Sequence, residues 1–421
     1  MKILFLTQLF PYPPICGGTI RSCNILRHLG EKHEVVLVSF VREDPTAEQM
    51  GVAASFCSEV HTVPIRRSAA ANMKFAAKSL FSRKPFIIAR DQVVGMQHAI
   101  DGLLEPGGFD MVYVDHLQMA QYMDRWDHIP WVLDEHNVEW KIIERMAQSE
   151  RFSGKGLYAS IEWKKLKEWE LSACEKAGLV LTVTETDKAT LLRECRDLGN
   201  VTCIPIGVDF DSFPKAGLSP NARNILSIGT MSWPPNIDSI LYFADEIYPE
   251  IKSRSDGVKL VIAGSKPAGS IRKLPSMDSS IEVTGFVQDL SALMSEAAVF
   301  IVPLRSGSGL RVKILNAMAM GLPVVSTSVG CEGIGAENGR HLLIADTPQA
   351  FADSVLRLLS DFELRKQLAE VGREFVLSNY GWDSILARLD KALDALVLEK
   401  HNYSLFIRRK NAPPPIRMKN R

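Results

Sequence analysis

The sequence lacks several features that would assign it to a common class of protein. Its formal net charge is zero, with 49 basic and 49 acidic residues, which argues against general nucleic-acid binding because that needs excess positive charge. Its seven cysteines are scattered and none forms a CxxC pair, so we expect reduced thiols rather than disulfides or a zinc site. No uninterrupted apolar run is long enough to span a bilayer.

The first residues, MKILFLTQLFPYPP, do not have the pattern of a secretory signal. They lack an apolar core followed by a small-residue cleavage site, and they read as a buried strand that ends at prolines. The GxGxxG fingerprint for NAD is missing, and no metal-ligand spacing stands out. We therefore expect a cytoplasmic protein that needs neither a metal nor an organic cofactor.

Short apolar strands alternate with helical segments along the whole chain, and 421 residues are too many for one ordinary core. This alternation is typical of α/β domains with doubly wound parallel sheets, so we expect two Rossmann-like domains. The predicted strands are 3–7, 34–39, 111–114, 131–134 and 179–183, followed after a break by 224–228, 259–263, 281–284, 299–302 and 323–326.

The break, residues 204–224, is rich in Pro, Gly and polar residues and indicates an interdomain linker. We therefore expect domains at 1–206 and 207–381, with a cleft between them and ligands at the carboxyl ends of the strands. A final helix, 382–400, is expected to pack back on the N-terminal domain. The basic, Pro-rich segment 401–421 is expected to be a disordered tail.

The most informative stretch is PLRSGSGLRVKILNAMAMGLPVVS, residues 303–326. A strand leads into a Gly/Ser loop containing Ser308 and Gly309, and a helix follows from about Leu310. Such a helix start offers unpaired N–H groups and the positive end of a dipole, and Arg311 and Lys313 add charge there. The pattern predicts a cradle for an anion, most simply a nucleotide diphosphate. The alternative is that both side chains are ordinary solvated helix residues.

Asn316 follows Lys313 by three residues and shares its helix face, so it can reach a neighbouring moiety such as a ribose. Its alternative role is that of a helix-surface asparagine.

Polar residues also follow the predicted strands of the N-terminal domain. Gly17 and Gly18 lie between the first strand and the first helix, where they allow close approach of an acceptor or of donor phosphates, or only form the turn. Asp115 and His116 follow one strand and His136 follows the next. These side chains are candidates for an active site, with local structural roles as the alternative. We expect His136 to be an exposed side chain that contributes little to packing.

Taken together, several segments resemble glycosyltransferase family 4, a family with the GT-B fold of two facing Rossmann-like domains. The segments are PYPPICGGTIR (11–21), VLDEHNVE (132–139), LTVTETD (181–187), IPIGVD (204–209), IGTMSWPPNID (228–238), VTGFVQDL (283–290), GSGLRVKILNAMAMGLPVVST (307–327) and YGWDSI (380–385). Their order and spacing resemble bacterial sugar transferases of exopolysaccharide clusters over most of the chain.

The resemblance implies retaining transfer of a sugar from a nucleotide-diphosphate donor to a hydroxyl group of a saccharide or lipid-linked acceptor. It implies that the donor binds the C-terminal domain, with the diphosphate held by Arg311, Lys313 and the amides near Ser308, and that the acceptor binds the N-terminal domain. Gly285 and Phe286 resemble the turn that contacts the nucleobase. His136 would act at the donor sugar or the reacting centre.

The chain departs from the family at two positions. Relatives carry two glutamates eight residues apart in this region, and Ser308 and Asn316 stand at the matching positions here. A neutral Asn316 forms weaker hydrogen bonds to a ribose than a carboxylate does. This leaves open the alternative of a catalytically weakened nucleotide-sugar-binding protein. A separate alternative with the same fold is a transferase that acts on a small-molecule acceptor.

Residues 66–90 form a basic amphipathic stretch, with six Lys and Arg side chains between 66 and 84 among Met and Phe residues. Such a stretch can lie on the anionic inner face of a membrane, where a lipid-linked acceptor would be found. The alternative is a solvated helix that covers the N-terminal domain.

Overall fold

A computed structural model describes residues 1–126, 128–149, 152–195, 198–211, 215, 217–287, 290–307 and 309–410. Two compact units make up the chain. The first contains Met1–Thr182, Lys188–Ile204 and the chain from Leu386 onwards, and the second contains Val183–Asp187 and Pro205–Ile385.

A seven-stranded parallel sheet forms the centre of the first unit, in the order β3-β2-β1-β4-β5-β6-β7. Its strands are β1 (Lys2–Thr7), β2 (Glu34–Val41), β3 (Glu59–Pro64), β4 (Met111–Asp115), β5 (Trp131–Glu135), β6 (Leu179–Thr182) and β7 (Val201–Cys203). Most are apolar along their length because central strands of a parallel sheet are buried on both faces.

Helices join these strands as crossover connections. They are α1 (Gly17–Lys32), α2 (Ala47–Phe56), α3 (Ala69–Leu80), α4 (Phe86–Arg90), α5 (Val94–Leu104), α6 (Glu139–Ser149), α7 (Gly154–Lys176) and α8 (Glu185–Glu194), with a 3₁₀ helix at Leu117–Tyr122. The order of the strands reverses between β1 and β4, and in doubly wound sheets ligands bind at such a switch point.

A six-stranded parallel sheet forms the second unit, in the order β10-β9-β8-β11-β12-β13. Its strands are β8 (Asn224–Ile228), β9 (Lys259–Ala263), β10 (Ile281–Gly285), β11 (Ala297–Val302), β12 (Val324–Ser326) and β13 (Leu343–Ile344). The helices of this unit are α9 (Pro234–Tyr242), α10 (Tyr248–Arg254), α11 (Gly269–Met277), α12 (Ser291–Glu296), α13 (Val312–Ala319), α14 (Pro348–Ser360) and α15 (Phe362–Tyr380), with a π-helix at Phe243–Ile247.

The two sheets confirm the predicted fold class of two doubly wound parallel-sheet domains. The predicted strands correspond to observed ones, while β3, β7 and β13 were missed because they are short or half exposed. The last helix, α16 (Trp382–Lys410), continues beyond its predicted end at residue 400, so the first part of the predicted tail is helical. Residues 411–421 of that tail lie outside the described residues.

Helix α16 is tied to the first unit by its polar side chains as well as by packing. Asp390 lies 2.8 Å from Nε2 of His28 and 2.6 Å from Nζ of Lys32, both on α1. Among the described residues, no helix is both long enough and apolar enough to cross a membrane.

Candidate functional site

Asp115 is the centre of a polar cluster at the carboxyl end of β4. It is fully buried, and its carboxylate accepts hydrogen bonds from Oγ1 of Thr7 (2.6 Å) and Oγ of Ser22 (2.8 Å). Nδ1 of His116 lies 3.0 Å from one carboxylate oxygen, and Nε2 of His136 lies 2.7 Å from the other. Thr7 and Asp115 are partners in the β1–β4 ladder, which explains how residues far apart in sequence meet.

The imidazole rings of His116 and His136 stack on each other, with their centroids 3.7 Å apart and an angle of 21° between their planes. Each ring uses one nitrogen for Asp115. The other nitrogens, Nε2 of His116 and Nδ1 of His136, both lie 3.5 Å from the point where a Cβ atom on Gly18 would stand. Because Gly18 has no side chain, the backbone at the start of α1 leaves these nitrogens uncovered on that side.

The electrostatics of the cluster keep Asp115 ionised. Burial opposes the charge, but the two imidazoles hold the pKa of Asp115 well below its usual value. Burial also acts against a charged His116, yet the Asp115 carboxylate raises the pKa of His116. For His136, burial and then the neighbouring His116 lower the pKa. The pair therefore has opposite tendencies, with His116 inclined to carry the proton and His136 inclined to stay neutral.

A second buried network, formed by hydrogen bonds to Asp134, supports the cluster. Arg21 on α1 binds both carboxylate oxygens of Asp134, and its guanidinium also donates to the carbonyl of Ile204. Tyr113 donates its hydroxyl proton to the same carboxylate at 2.7 Å. These bonds hold the end of β5, and therefore His136, in place. Sequence reasoning did not select Arg21, although the carboxylate two residues before His136 was a signal for a buried partner.

Asp115, His116 and His136 also form the kind of group that can hold a metal ion, since one ligand atom from each lies within 4.8 Å of the others. In the structure each ring nitrogen that faces Asp115 is already explained by a hydrogen bond to it. The prediction that the protein needs no metal stays a prediction.

The structure corrects one expectation about His136. We had taken it to be an exposed side chain that contributes little to packing, but only 9 % of the residue is exposed. Its contact with Asp115 and its stacking on His116 give it a structural contribution in addition to any role in chemistry.

The second polar cluster lies at the start of α13, after β11. Gly307 and Gly309 have φ angles of 133° and 78°. Such angles favour glycine, so the backbone conformation of the loop explains why glycine stands at both positions. Ser308, between them, lies outside the described residues. The helix begins at Val312, two residues later than predicted, so Leu310 lies in the loop and Arg311 is the N-cap residue.

Arg311 is only 6 % exposed. Its Nη1 donates to the carbonyl of Gly309, and a Cβ atom on Gly307 would lie 2.9 Å from its Nη2. The guanidinium of Arg311 therefore occupies space that a side chain at position 307 would fill. The loop that follows β8 reaches the same point, because Trp233 also lies close to Gly307.

Lys313 donates from Nζ to Oδ1 of Asn236 at 3.1 Å. Burial, and then the neighbouring charge of Arg311, lowers the pKa of Lys313 to about 8. Nδ2 of Asn236 in turn donates to the carbonyl of Thr230. Asn236 lies inside α9, which begins at Pro234, so its side chain does not cap that helix and instead serves as the partner of Lys313.

Asn316 lies one turn beyond Lys313 on α13 and is half-buried. Its side chain makes no hydrogen bond to another residue within the described parts of the chain. It is therefore placed where the sequence predicted, and its role as a ribose ligand stays a prediction.

Gly285 is the last residue of β10, and Phe286 follows it. Gly285 has a φ angle of 73°, and its carbonyl accepts from the backbone N–H of Gly264 after β9. Phe286 is 76 % exposed. An apolar ring beside a turn at the carboxyl edge of the sheet suits contact with a nucleobase.

Residues 222–361, within the second unit, match a family model described as Glycosyl transferases group 1. The chain is 26% identical over 404 residues, 93% of this chain and 99% of the relative, to an uncharacterized 44.6 kDa protein in the cps region of Klebsiella pneumoniae. It is 32% identical over 155 residues to a GDP-mannose-dependent alpha-(1-6)-phosphatidylinositol monomannoside mannosyltransferase of Mycobacterium tuberculosis, and that match spans 34% of this chain and 40% of the relative.

Solved structures show the same fold at low sequence identity. A sucrose-phosphate synthase from Thermosynechococcus elongatus superimposes with a TM-score of 0.67 and 16% identity, over 96% of this chain and all of that one. Anabaena HepE in complex with UDP and glucose superimposes with a TM-score of 0.64 and 14% identity, over 94% of this chain and all of that one. Residues 222–361 therefore resemble a group 1 glycosyl transferase domain, and the fold of the chain is of the GT-B type.

Proposed function

We propose that this protein is a retaining glycosyltransferase, which transfers a sugar from a nucleotide-diphosphate donor to a hydroxyl group of a saccharide or lipid-linked acceptor. One observation carries the proposal. Arg311 is buried and Lys313, two residues later, is half-buried. Burial and then the charge of Arg311 lower the pKa of Lys313 to about 8. A bound diphosphate would bring negative charge next to both side chains and favour the protonated lysine.

The same pair meets the main chemical need of the reaction. When the bond between sugar and diphosphate breaks, the leaving group gains negative charge, and fixed cations that stabilise this charge lower the barrier. Arg311 and Lys313 act in this way without a metal, and the glycine loop lets backbone amides approach the phosphates. Asn316 binds the ribose, and Gly285 and Phe286 contact the base.

The first unit supplies the acceptor side. His136 acts at the reacting sugar, since Asp115 holds its Nε2 and leaves Nδ1 on the side of Gly18. Gly17 and Gly18 let a substrate approach the imidazoles of His116 and His136. Of these two rings, His116 is the one inclined to carry the proton. The group of relatives supports a role in polysaccharide assembly, because one lies in a cps region.

Asp115 does not serve as a nucleophile. Its carboxylate is fully buried and accepts hydrogen bonds from Thr7, Ser22, His116 and His136, and a covalent bond to a sugar would have to displace these partners. Retention without an enzyme nucleophile requires the acceptor hydroxyl to attack from the face on which the diphosphate leaves. The proposal therefore rests on stabilisation of the leaving group.

The test is donor turnover. Purified protein is incubated with UDP-glucose, UDP-N-acetylglucosamine or GDP-mannose and with saccharide, lipid-linked or small-molecule acceptors, while release of nucleotide is measured. The anomeric configuration of a product is read by NMR. The expected result is release of nucleotide that depends on an acceptor, formation of a product with the donor's configuration, and no loss of activity in EDTA.

Lys313→Gln and Lys259→Gln make a matched pair for this assay. Both lysines belong to the second unit, but the exposed Lys259 begins β9 and so lies at the amino end of its strand. Lys313→Gln should lower turnover by roughly a hundredfold, on the scale of one lost charge-assisted contact to the transition state. Equal activity of the two variants would refute the assignment of Lys313.

Asn316 favours a second candidate function, a nucleotide-sugar-binding protein with little or no catalysis. A neutral side chain at this position weakens the donor site relative to the glutamate of related enzymes. This candidate predicts that UDP or GDP binds while no acceptor releases nucleotide from any donor.

A further inference from the structure

We propose that helix α3 and the start of α7 form one surface that docks on an anionic lipid bilayer. The surface, called here the α3–α7 face, consists of the exposed side chains of α3 and the following loop, together with those of the first two turns of α7. The proposal does not depend on the glycosyltransferase activity proposed above, since binding to lipid is measured without turnover.

The exposed residues of α3 follow helical periodicity. Met73, Lys74, Ala77, Lys78 and Phe81 are all exposed, with spacings of three or four residues that place them on one face. Met73 is 68 % exposed and Phe81 is 94 % exposed. Large apolar side chains thus point to solvent from within α3, at Met73, and from its C-cap, at Phe81, with lysines beside them.

Helix α7 lies next to α3 and extends this apolar surface. Oγ of Ser79 lies 2.7 Å from the hydroxyl of Tyr158, and Nζ of Lys165 donates to the carbonyl of Ser79 at 2.6 Å. Leu157 and Ile161 lie one turn apart on α7, and both are exposed. Two neighbouring helices therefore present apolar side chains to solvent.

The charge of this surface has one sign. Residues 66–84 contain six Lys and Arg residues and no Asp or Glu, and residues 152–161 contain Lys155 and no acid, although the whole chain has a formal net charge of zero. Lys74, Lys78, Arg83 and Lys155 are exposed, and within the described residues none of the four forms an ion pair.

An anionic bilayer fits this combination better than the other occupants do. Apolar side chains enter the boundary between head groups and acyl chains, while Lys and Arg reach the phosphates, so both kinds of side chain find partners. A nucleic-acid backbone would leave Phe81 and Met73 without a partner. A second copy of the same face would bring positive charges together.

The test is co-sedimentation with vesicles. The wild-type chain is mixed with vesicles of phosphatidylethanolamine and phosphatidylglycerol, or with vesicles of phosphatidylcholine alone. We expect binding to the first and little binding to the second. The triple variant Lys74→Glu/Lys78→Glu/Arg83→Glu should lose at least about a hundredfold in partition onto the anionic vesicles, because each basic residue near such a surface contributes roughly a fivefold factor.

Matched control variants distinguish the effect of this surface from the effects of net charge and of exposed apolar side chains in general. The triple variant Lys273→Glu/Arg357→Glu/Lys366→Glu makes the same change in net charge at exposed positions of the second unit. Met73→Ser/Phe81→Ser removes apolar side chains from the face, and Met277→Ser/Leu398→Ser removes two exposed apolar side chains elsewhere. In each pair, one variant changes the α3–α7 face and the other is its control. Circular dichroism checks that all four variants fold.

The proposal predicts that only the changes on the α3–α7 face weaken binding to anionic vesicles. It is overturned if the wild-type chain does not sediment with anionic vesicles, as expected when the true partner is an acidic protein. It is also overturned if the control variants lose as much binding as those on the face, or if phosphatidylcholine vesicles bind equally well.

Discussion

Lys313 provides the sharpest test of the donor site, because its charge should depend on pH in the working range. Burial and then Arg311 lower its pKa to about 8, and Asn236 offers it only a neutral amide oxygen. A bound diphosphate would bring negative charge next to Nζ and favour the protonated form. Binding of UDP or GDP should therefore take up a proton whenever Lys313 is neutral in the free protein.

The size of the effect follows from the pKa of the free protein. With a pKa of about 8, roughly three quarters of Lys313 side chains are charged at about pH 7.5 and roughly one tenth at about pH 9. If only the charged form binds a diphosphate well, the association constant falls about eightfold over this interval. The ligand itself changes little there, because the last phosphate pKa is about 6.

Isothermal titration calorimetry of UDP or GDP across this interval measures both the affinity and, from buffers of different ionisation enthalpy, the proton uptake. Lys313→Arg should bind with a flat profile, since a guanidinium keeps its proton. Lys313→Met should bind weakly with a flat profile. An affinity for the wild-type chain that does not change with pH, or the same slope in Lys313→Arg, would refute the assigned role.

The same lowered pKa has a consequence for stability, with a defined sign. Because the pKa of Lys313 is lower in the folded chain than its ordinary value of 10.5, the unfolded chain binds the proton more tightly. The contribution of this group to the free energy of unfolding is therefore unfavourable below about pH 8 and is relieved as the pH rises toward the unfolded value. Lys313→Met should accordingly melt at a higher temperature than wild type at neutral pH, as measured by calorimetry without ligand.

Further predictions concern the other candidate residues. Arg311→Ala with Lys313→Ala should weaken binding of a nucleoside diphosphate by a few kcal/mol and leave nucleoside binding nearly unchanged, as charged contacts to phosphate require; equal losses would contradict it. Asn316→Glu should tighten donor binding by about 1–2 kcal/mol in titration calorimetry if the ribose lies there, and weaker binding with an intact fold would show otherwise. His136→Ala should lower kcat by roughly a hundredfold or more and cost about 1–3 kcal/mol of stability because a buried hydrogen bond is lost; normal kcat per folded molecule would assign it to structure alone. Gly18→Ala should keep the melting temperature, since a methyl group fits in ordinary contact with both imidazoles, while kcat falls because their open nitrogens are covered.

The fold could be predicted from the sequence because parallel strands buried on both faces appear as apolar runs. The runs 299–302 and 323–326, separated by a helix, correspond to β11 and β12 within two residues. The weak elements were missed for the same physical reason. Strand β3 is half exposed on one side, and β7 has three residues, so neither has a continuous apolar run.

The polar clusters could be predicted only in part. Arg311, Lys313 and His136 follow strands directly, so their position at the carboxyl edge is a consequence of topology. Their partners are remote in sequence, as with Asn236, which meets Lys313 across 77 positions. Whether a side chain is buried also depends on such contacts, and for this reason His136 was wrongly expected to be exposed.

The two clusters differ in the charges that act on their titratable groups. Asp134 is neutralised by Arg21 through bonds to both carboxylate oxygens, and Asp115 lies between two imidazoles that hold its pKa low. Around Lys313, by contrast, the neighbouring charge that acts on its pKa is the positive one of Arg311. A dianion bound at the start of α13 would oppose this effect and favour the protonated form of Lys313. The proposed donor site therefore predicts that a nucleoside diphosphate raises the pKa of Lys313, and calorimetric titration measures this change as proton uptake.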